Sequence, residues 1–293
     1  MPTVEVDGTP IAYELIGAPG AGTTAGTGAT WVITPGGRFS KDVPGIKELA
    51  LELADAGHRV LVWDRPNTGA SGVRFTGDSE SAMQADLLSG LIADLGLPPV
   101  VVAGGSGGAR VSLLLAARHP NAVSKLAIWW ISGGVFGLMT LGIVYCGESI
   151  RAAWQDGMEA VVALPEWAEV LERNPSNRER FLKLDPQGFI EVMQRWMTVY
   201  CPDETAVVPG LPDDECRGIA IPTLVFRSGR SDPYHTRSTS ETLASLLPAS
   251  RLVEPPWGDR EWIEVAAAAR AGTGHLFERW PLLAPQLLEF AAE

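Results

Sequence analysis

One stretch, residues 99–120, constrains the fold of this chain more than any other. It reads PVVVAGGSGGARVSLLLAARHP: a short apolar run rich in β-branched residues, a glycine-rich segment, and a run with helical spacing that ends before Pro120. The first run predicts a buried parallel strand, and the last predicts a helix. The segment between them, residues 104–108, must therefore turn sharply from strand to helix.

This segment, Gly-Gly-Ser-Gly-Gly, has the pattern G-x-S-x-G, which between a strand and a helix is typical of a nucleophile elbow. A serine in so tight a turn has strained backbone angles, and side chains two residues on either side would collide, so glycine occupies both positions. The N-terminus of the helix is directed at the serine, and the Gly107 N–H can donate to a developing oxyanion. Ser106 is thus the candidate nucleophile. The alternatives are a glycine-rich turn without chemistry and a phosphate-binding loop.

Composition narrows the class of protein. The chain of 293 residues is long enough for one large α/β domain, or for a core with an inserted subdomain. A formal net charge of −12 argues against nucleic acid and anionic membranes as partners. The three cysteines match no metal-ligand spacing, no secretory leader is recognised, and the longest apolar run, 135–146, is too short to span a bilayer. We therefore expect a cytoplasmic protein without a metal site and without membrane contact.

Strand and helix patterns alternate along much of the chain, which predicts an α/β fold with a mostly parallel sheet and helices on both faces. The small-residue stretch at 18–30 predicts a loop. The predicted strands lie at 3–6, 11–15, 31–34, 59–63, 100–103, 125–131, 222–226 and 251–254. The helical patterns outside the middle of the chain lie at 44–56, 79–95, 109–118 and 281–292.

The alternation stops between residues 132 and 218, where helical patterns follow one another. An all-helical insert within an α/β core has the arrangement of a cap. We accordingly divide the chain into a first core part at 1–131, a helical cap at 132–218 and a second core part at 219–293. Trp196 lies on the apolar face of the last long helix pattern in the cap, so this face either packs inside the cap or contacts a substrate.

These features resemble the α/β-hydrolase superfamily over essentially the whole chain. The resemblance rests on the elbow at 104–108, the DRPNTGAS segment at 64–71, a Ser…Asp…His order and the position of the helical insert. It implies an α/β-hydrolase fold, although one fold can carry many activities. A serine at the elbow, rather than an aspartate, argues against haloalkane-dehalogenase and epoxide-hydrolase chemistry.

The general base can be sought by elimination, because the chain has four histidines. His58 begins a strand, at the wrong end of a parallel sheet, and His119 closes the elbow helix far from its N-terminus. His235 follows Asp232 too closely to fold back easily onto it. His275 lies in a loop before the last helix, where the family has its histidine, and is therefore the predicted base.

The acid should follow a strand and hold the imidazole tautomer through its other ring nitrogen. Asp232, after the strand at 222–226, matches the family position; the alternative is an aspartate that only forms a turn. Asp259 competes with it, because the segment at 257–272 is longer than the usual family connection.

A second oxyanion donor is implied in the loop after the strand at 31–34. The family commonly has His-Gly-x in this loop, whereas this chain has Pro-Gly-Gly followed by Arg38. The Gly37 N–H is the implied donor beside Gly107, with Arg38 next in register. The Arg38 side chain is either a solvent-exposed cation or a partner for a substrate carboxylate.

The predicted activity is that of a serine hydrolase in which Ser106 attacks an acyl carbon, His275 takes its proton and Asp232 orients His275. No metal or organic cofactor is implied. The expected partner is a small-molecule substrate, and the expected target is a carboxylic ester or related acyl bond. The oligomeric state stays open, with a homodimer among the options.

Tryptophans at the sheet edge and in the cap suggest an apolar or aromatic substrate. Trp129, Trp130 and Trp196 are the candidate contacts, although aromatic residues in helices usually belong to the core. The alternatives to an esterase are a C–C bond hydrolase of a diketone-type substrate, a cofactor-free lyase or oxygenase, and a slow-turnover receptor on the same fold.

Overall fold

The computed structural model describes residues 2–17 and 28–293, so most of the loop predicted at 18–30 lies outside the described residues. An eight-stranded sheet forms its centre, in the order β1-β2-β4-β3-β5-β6-β7-β8. All strands run parallel except β2, which is antiparallel to both of its neighbours. The strands are β1 (Thr3–Val6), β2 (Thr9–Ile16), β3 (Thr30–Thr34), β4 (Arg59–Trp63), β5 (Val100–Gly105), β6 (Val123–Trp129), β7 (Thr223–Phe226) and β8 (Ser250–Val253).

Each face of the sheet carries its own apolar core, because side chains alternate along a strand. In β3, for example, Val32 belongs to one hydrophobic cluster, and Trp31 and Ile33 belong to the other. Among the described residues, six α-helices belong to the α/β part: α1 (Ile46–Asp55), α2 (Glu80–Asp94), α3 (Gly107–Arg118), α10 (Arg237–Leu246), α11 (Glu261–Ala271) and α12 (Ala284–Ala292). The predicted mostly parallel sheet with flanking helices is therefore confirmed.

The chain between β6 and β7 is predominantly helical. Its α-helices are α4 (Val135–Gly142), α5 (Glu148–Val162), α6 (Ala168–Arg173), α7 (Ser176–Leu182), α8 (Pro186–Thr198) and α9 (Asp213–Gly218). A π-helical turn, Ile143–Gly147, joins α4 to α5, so the apolar run at 135–146 is only the first part of a longer helical stretch, which is kinked at Gly157. By length and composition alone this stretch, Val135–Val162, could cross a membrane, with a mean hydropathy of 1.2 and a third of the apolar window buried. The prediction that the longest apolar run is too short to span a bilayer considered only residues 135–146 and not the longer helical stretch.

Two helices of the α/β part, α10 and α11, have no counterpart in the predicted pattern. In α11 only Glu261 and Val265 are buried, so the alanine-rich sequence shows no apolar stripe. In α10 serine and threonine fill most of the first turns, and the cap is made by Thr236, which accepts a hydrogen bond from the Thr239 backbone. Along the chain, α10 follows β7 and α11 follows β8.

Candidate functional site

The turn between β5 and α3 has the strained geometry that its sequence predicts. Ser106 has φ 57° and ψ −119°, and its backbone N–H donates to the carbonyl oxygen of Trp130 at 3.0 Å. A Cβ on Gly104 would lie 2.7 Å from the backbone of Gly108, and a Cβ on Gly108 would overlap the carbonyl of Thr34. Glycine is therefore required on both sides of the serine.

His235, and not His275, lies beside this serine. Its Nε2 is 2.8 Å from Ser106 Oγ, and its Nδ1 is 2.7 Å from Asp232 Oδ2. All three residues are buried, with exposures of 8 % for Ser106, 5 % for Asp232 and 2 % for His235. A hydroxyl, an imidazole and a carboxylate are thus connected in the order that general-base activation of a serine requires.

A compact turn brings His235 back onto Asp232 over only three residues. Asp232 Oδ1 accepts hydrogen bonds from the backbone N–H groups of Tyr234, at 2.9 Å, and His235, at 3.0 Å. This side-chain-to-backbone turn leaves Oδ2 free to bind the imidazole. The argument that His235 follows Asp232 too closely is therefore wrong, because the aspartate itself folds the chain back.

His275 is exposed to solvent, in the loop that follows α11. Its backbone N–H donates to Glu278 Oε2 at 3.0 Å, and its side chain has no hydrogen bond to any of the described residues. The loop directs the neighbouring Leu276 and Phe277 to the cavity at the serine instead. The structure thus does not bring the predicted base to Ser106, and His235 occupies the expected position.

Asp259, the competing acid, lies on the surface away from the imidazole. Its carboxylate is half exposed and is paired with Arg237 at 2.9 Å and with Arg230 at 3.4 Å. Its backbone carbonyl accepts a hydrogen bond from the Ser231 N–H at 3.1 Å. Asp259 therefore anchors the loop that carries Asp232.

The loop after β3 packs directly on the elbow. A Cβ on Gly36 would lie 3.0 Å from Ser106 Cβ, and a Cβ on Gly107 would lie 3.3 Å from the Gly37 backbone nitrogen. Among the described residues, the Gly37 N–H has no hydrogen-bond acceptor. The structure thus brings together Gly37 and Gly107, the two predicted donors, beside the serine.

Arg65 holds this loop in place, a role that the sequence did not reveal. Its Nη2 donates to the carbonyl oxygens of Gly36 at 3.1 Å, Gly37 at 2.6 Å and Phe39 at 3.4 Å. Burial lowers the pKa of the guanidinium to about 10, so the group is still charged at neutral pH. A Cβ on Gly107 would lie 3.3 Å from Arg65 Nη1, which places this positive charge next to the two amides.

The Arg38 side chain matches neither of its two predicted roles. Its Nη2 donates to the Tyr145 carbonyl oxygen at 2.8 Å and lies 3.5 Å from the Glu80 carboxylate. The guanidinium carbon is 4.4 Å from the centre of a Trp167 ring. Arg38 is therefore a largely buried cation that connects the β3 loop to the helical insert, and it does not line the cavity at Ser106.

A cavity of about 220 Å³ opens at Ser106, and its wall is almost entirely apolar. The β3 loop, the insert, the Asp232 turn and the segment after β8 all contribute to it. This volume suits a small acyl or aryl group. The lining residues are Gly37, Phe39, Ser106, Trp130, Thr140, Leu141, Val144, Tyr145, Tyr234, Trp262, Leu276 and Phe277.

Of the three tryptophans predicted to contact substrate, only Trp130 lines this cavity. Trp129 is buried against Trp280, with ring centres 4.8 Å apart. Trp196 is 1 % exposed and stacks at 5.7 Å on Phe75, which belongs to the segment before α2, so it is buried where the insert packs on this segment. An apolar helix face in the sequence does not show whether its residues pack in the protein interior or line a cavity. Trp196 packs in the interior.

Two aromatic residues of the cavity wall lie in segments where the sequence indicated only an unusually long connection or a turn. Trp262 belongs to the segment at 257–272, and its ring lies 5.1 Å from that of His235. Tyr234 lies between Asp232 and His235, in the turn that carries both of them.

Among residues 2–17 and 28–293, no group of three or more His, Cys, Asp or Glu side chains is arranged to hold a metal ion.

Comparison with known proteins identifies the family and the fold. The model of the Alpha/beta hydrolase family matches residues 15–291. The chain belongs to the α/β hydrolase family. The crystal structure of the enol-lactonase from Burkholderia xenovorans is similar over the full length of both chains, with a TM-score of 0.60 and 22 % identity. At this identity the likeness concerns the fold alone.

Two curated proteins are similar to this α/β hydrolase in sequence. A putative carbamate hydrolase of Klebsiella pneumoniae is 26 % identical over 208 residues, which are 69 % of this chain and 74 % of that protein. A putative non-heme haloperoxidase of Mycobacterium phage D29 is 34 % identical over 106 residues, 36 % of this chain and 37 % of that protein. The second match thus spans little more than a third of either protein.

Proposed function

We propose that this chain is a serine hydrolase that cleaves a carboxylic ester, or a related acyl bond, of a small apolar or aromatic molecule. The observation that carries the proposal is the buried hydrogen-bond chain from Ser106 through His235 to Asp232. His235 takes the role that the sequence analysis assigned to His275.

In the proposed reaction, Ser106 Oγ attacks the acyl carbon while His235 Nε2 takes the hydroxyl proton. Asp232 accepts the hydrogen bond from Nδ1, fixes the tautomer and stabilises the imidazolium. The imidazolium then gives its proton to the leaving oxygen, which departs and leaves an acyl group on the serine. A water molecule, deprotonated by the same imidazole, attacks the acyl carbon, and the returning proton restores the hydroxyl.

The negative charge that develops on the acyl oxygen needs donors that are already in place. The amides of Gly37 and Gly107 lie close together beside Ser106 and can supply two hydrogen bonds. Arg65 holds the loop of one donor and adds positive charge nearby. Such preorganised donors are commonly the largest contribution to catalysis of acyl transfer, and loss of one costs about 10²–10³-fold in kcat.

The substrate class follows from the wall of the cavity. Six aromatic side chains and few polar groups surround a space of about 220 Å³, which favours an apolar acyl or aryl group. The similarity to a putative carbamate hydrolase supports acyl-bond cleavage, because a carbamate also carries its leaving group on an acyl carbon.

The test compares two histidine variants and a serine variant in the same assays. We expect His235→Gln and Ser106→Ala to lower kcat for p-nitrophenyl acetate on the order of 10⁴-fold, because triad residues act as a unit. His275→Gln is the matched control and should remain within about twofold of the wild type, since an exposed side chain does not enter the scheme. A fluorophosphonate should label the wild-type serine and leave Ser106→Ala unlabelled.

Three results would overturn the proposal. A larger loss in His275→Gln than in His235→Gln would return the base to the C-terminal loop. Labelling of Ser106 without turnover of any short-chain ester would favour the slow-turnover receptor, and turnover of diketones but not esters would favour the C–C hydrolase.

A further inference from the structure

One buried hydroxyl group in the wall of the cavity at Ser106 has no role in the mechanism proposed above. Besides Ser106, the lining residues with hydroxyl groups are Thr140, Tyr145 and Tyr234. Thr140 Oγ1 donates to the Phe136 carbonyl oxygen at 2.8 Å, and Tyr234 is partly exposed and also lines a groove on the outer surface. Tyr145 is only 9 % exposed, and its hydroxyl has no hydrogen bond to any of the described residues. A buried tyrosine hydroxyl usually has a partner, so this one is available to a molecule in the cavity.

The hydroxyl of Tyr145 lies at the end of the cavity that Gly37 forms. Its Oη is 3.8 Å from the position that a Cβ on Gly37 would occupy. The Gly37 backbone nitrogen is in turn 3.3 Å from the corresponding position on Gly107. Because a Cβ is only two bonds from the amide nitrogen of its own residue, the phenol hydroxyl and the two amides are gathered in one place beside Ser106.

Contacts with Arg38 and Tyr200 hold the phenol ring. The rings of Tyr145 and Tyr200 lie with their centres 5.8 Å apart, and the Arg38 guanidinium carbon is 5.4 Å from the centre of the Tyr145 ring. Arg38 Nη2 also donates to the Tyr145 carbonyl oxygen at 2.8 Å. Both the ring and the main chain of Tyr145 are therefore fixed before a substrate binds, as an efficient donor to a developing charge requires.

The main chain at Tyr145 has an unusual conformation. The residue belongs to the π-helical turn between α4 and α5, Ile143–Gly147. Turns of this kind are rare and are found frequently at functional sites. Here the turn supplies Val144 and Tyr145 to the cavity wall. The location of the turn thus agrees with a role for Tyr145 at the reacting groups.

We propose that Tyr145 is a further catalytic residue, whose hydroxyl donates a third hydrogen bond to the oxyanion that forms when Ser106 attacks the acyl carbon. The inference rests on the proposed function, since it adds one donor to the amides of Gly37 and Gly107. The acyl oxygen gains negative charge during the attack, so this hydrogen bond is stronger in the transition state than in the bound substrate. Tyr145 keeps its proton throughout, and His235 remains the base.

The test compares two substitutions of tyrosine by phenylalanine. Tyr145→Phe removes only the hydroxyl and should lower kcat for p-nitrophenyl acetate by about 10- to 100-fold, the usual effect of one hydrogen bond to a charged group. KM should stay within about twofold, because the lost interaction is made in the transition state. Tyr13→Phe is the matched control, the same change on β2, and should leave kcat within about twofold.

A second measurement separates this role from a merely structural one. An aryl trifluoromethyl ketone forms a tetrahedral adduct with a reactive serine, and this adduct carries the same oxyanion. Its inhibition constant should rise in Tyr145→Phe by about the factor by which kcat/KM falls. Urea denaturation should give the same stability for Tyr145→Phe and the wild type, because the hydroxyl has no hydrogen bond to the described residues.

Three results would overturn the inference. The first is a wild-type kcat in Tyr145→Phe. The second is a raised KM with an unchanged kcat, since the hydroxyl would then bind substrate and transition state equally. The third is a lowered kcat with an unchanged inhibition constant for the ketone, since the loss would then not concern the oxyanion.

Failure of the proposed function would look different from failure of this inference. In the first case, the wild-type serine would not react with the fluorophosphonate and p-nitrophenyl acetate would not be cleaved. In the second case, the wild type would cleave the ester and Tyr145→Phe would cleave it at the same rate.

Discussion

Glu261→Gln should make the protein more stable, and the gain should grow with pH. In the unfolded chain this carboxyl group has its ordinary pKa of 4.5, whereas in the folded chain burial and the like charge of Asp232 raise the pKa to about 8. Below pH 4.5 the group is neutral in both states and does not make the free energy of unfolding depend on pH. Between these values the unfolded chain releases the proton and the folded chain retains it, so the free energy of unfolding falls as pH rises.

The size of this effect follows from the width of the pH interval. Each pH unit between 4.5 and about 8 lowers the free energy of unfolding by about 1.4 kcal/mol. The whole interval therefore lowers it by about 5 kcal/mol at pH 8 and above. At pH 7 the corresponding value is about 3 kcal/mol. Local relaxation around a buried carboxylate reduces such values, and we expect about 2–5 kcal/mol at pH 8.

Urea denaturation followed by tryptophan fluorescence, at pH 5 to pH 9, measures this difference. Glu261→Gln should equal the wild type near pH 5 and exceed it increasingly up to about pH 8, where the difference should level off. Glu264→Gln is the control on the same helix; it loses an exposed ion pair with Arg279 and should differ by no more than about 1 kcal/mol. A difference between Glu261→Gln and the wild type that is constant across the pH range would refute the reasoning, as would a less stable Glu261→Gln at pH 8.

Three further substitutions test other parts of the structure. Arg65→Met should lower kcat by about 10²-fold, because the carbonyl oxygens of the β3 loop lose their common donor. Steady-state kinetics of Arg65→Met, compared with those of Arg65→Lys, measures this loss. An unchanged kcat in Arg65→Met would contradict the prediction. Asp232→Asn should lower kcat on the order of 10⁴-fold through the wrong imidazole tautomer, and Asp259→Asn should have little effect in the same assay; a larger loss in Asp259→Asn would reverse the assignment. Trp196→Ala should lower the free energy of unfolding by about 3–5 kcal/mol without changing the ratio of kcat/KM for aromatic and acetyl esters; a changed ratio would return Trp196 to the cavity.

The fold could be predicted in its main features because buried parallel strands leave a strong signal. Short β-branched runs such as Arg59–Trp63 are followed by helices with regular apolar spacing. Helix α11 left no such signal, because its alanines bury little and one of its two buried residues is Glu261. Periodicity therefore identified α1, α2, α3 and α12, and it missed both α10, which contacts β7 and β8, and α11, which lies at the site.

The candidate site could be predicted in part, for a similar reason. Ser106 and the two oxyanion amides follow from backbone constraints that glycine reveals in the sequence. Asp232 follows from its place after a strand. His235 could not be found by a distance argument along the chain, because the hydrogen bonds of Asp232 to its own turn decide how the imidazole is directed.

The turn that carries both Asp232 and His235 has a consequence for how this protein can change. The hydrogen bonds that set their mutual geometry lie within four consecutive residues, while the chain from residue 254 onward adds outer contacts: Asp259 anchors the preceding loop and Trp262 packs on the imidazole. That C-terminal segment supplies Trp262, Leu276 and Phe277 to the cavity, and none of these is needed to bring the acid and base together. Insertions and substitutions there can reshape the cavity while the hydrogen bond between Asp232 and His235 is kept. Local opening of this segment would expose the cavity and release the Ser231–Asp259 hydrogen bond, while the hydrogen bonds from Tyr234 and His235 to Asp232 remain, so amide exchange should be faster in α11 than at Tyr234 and His235.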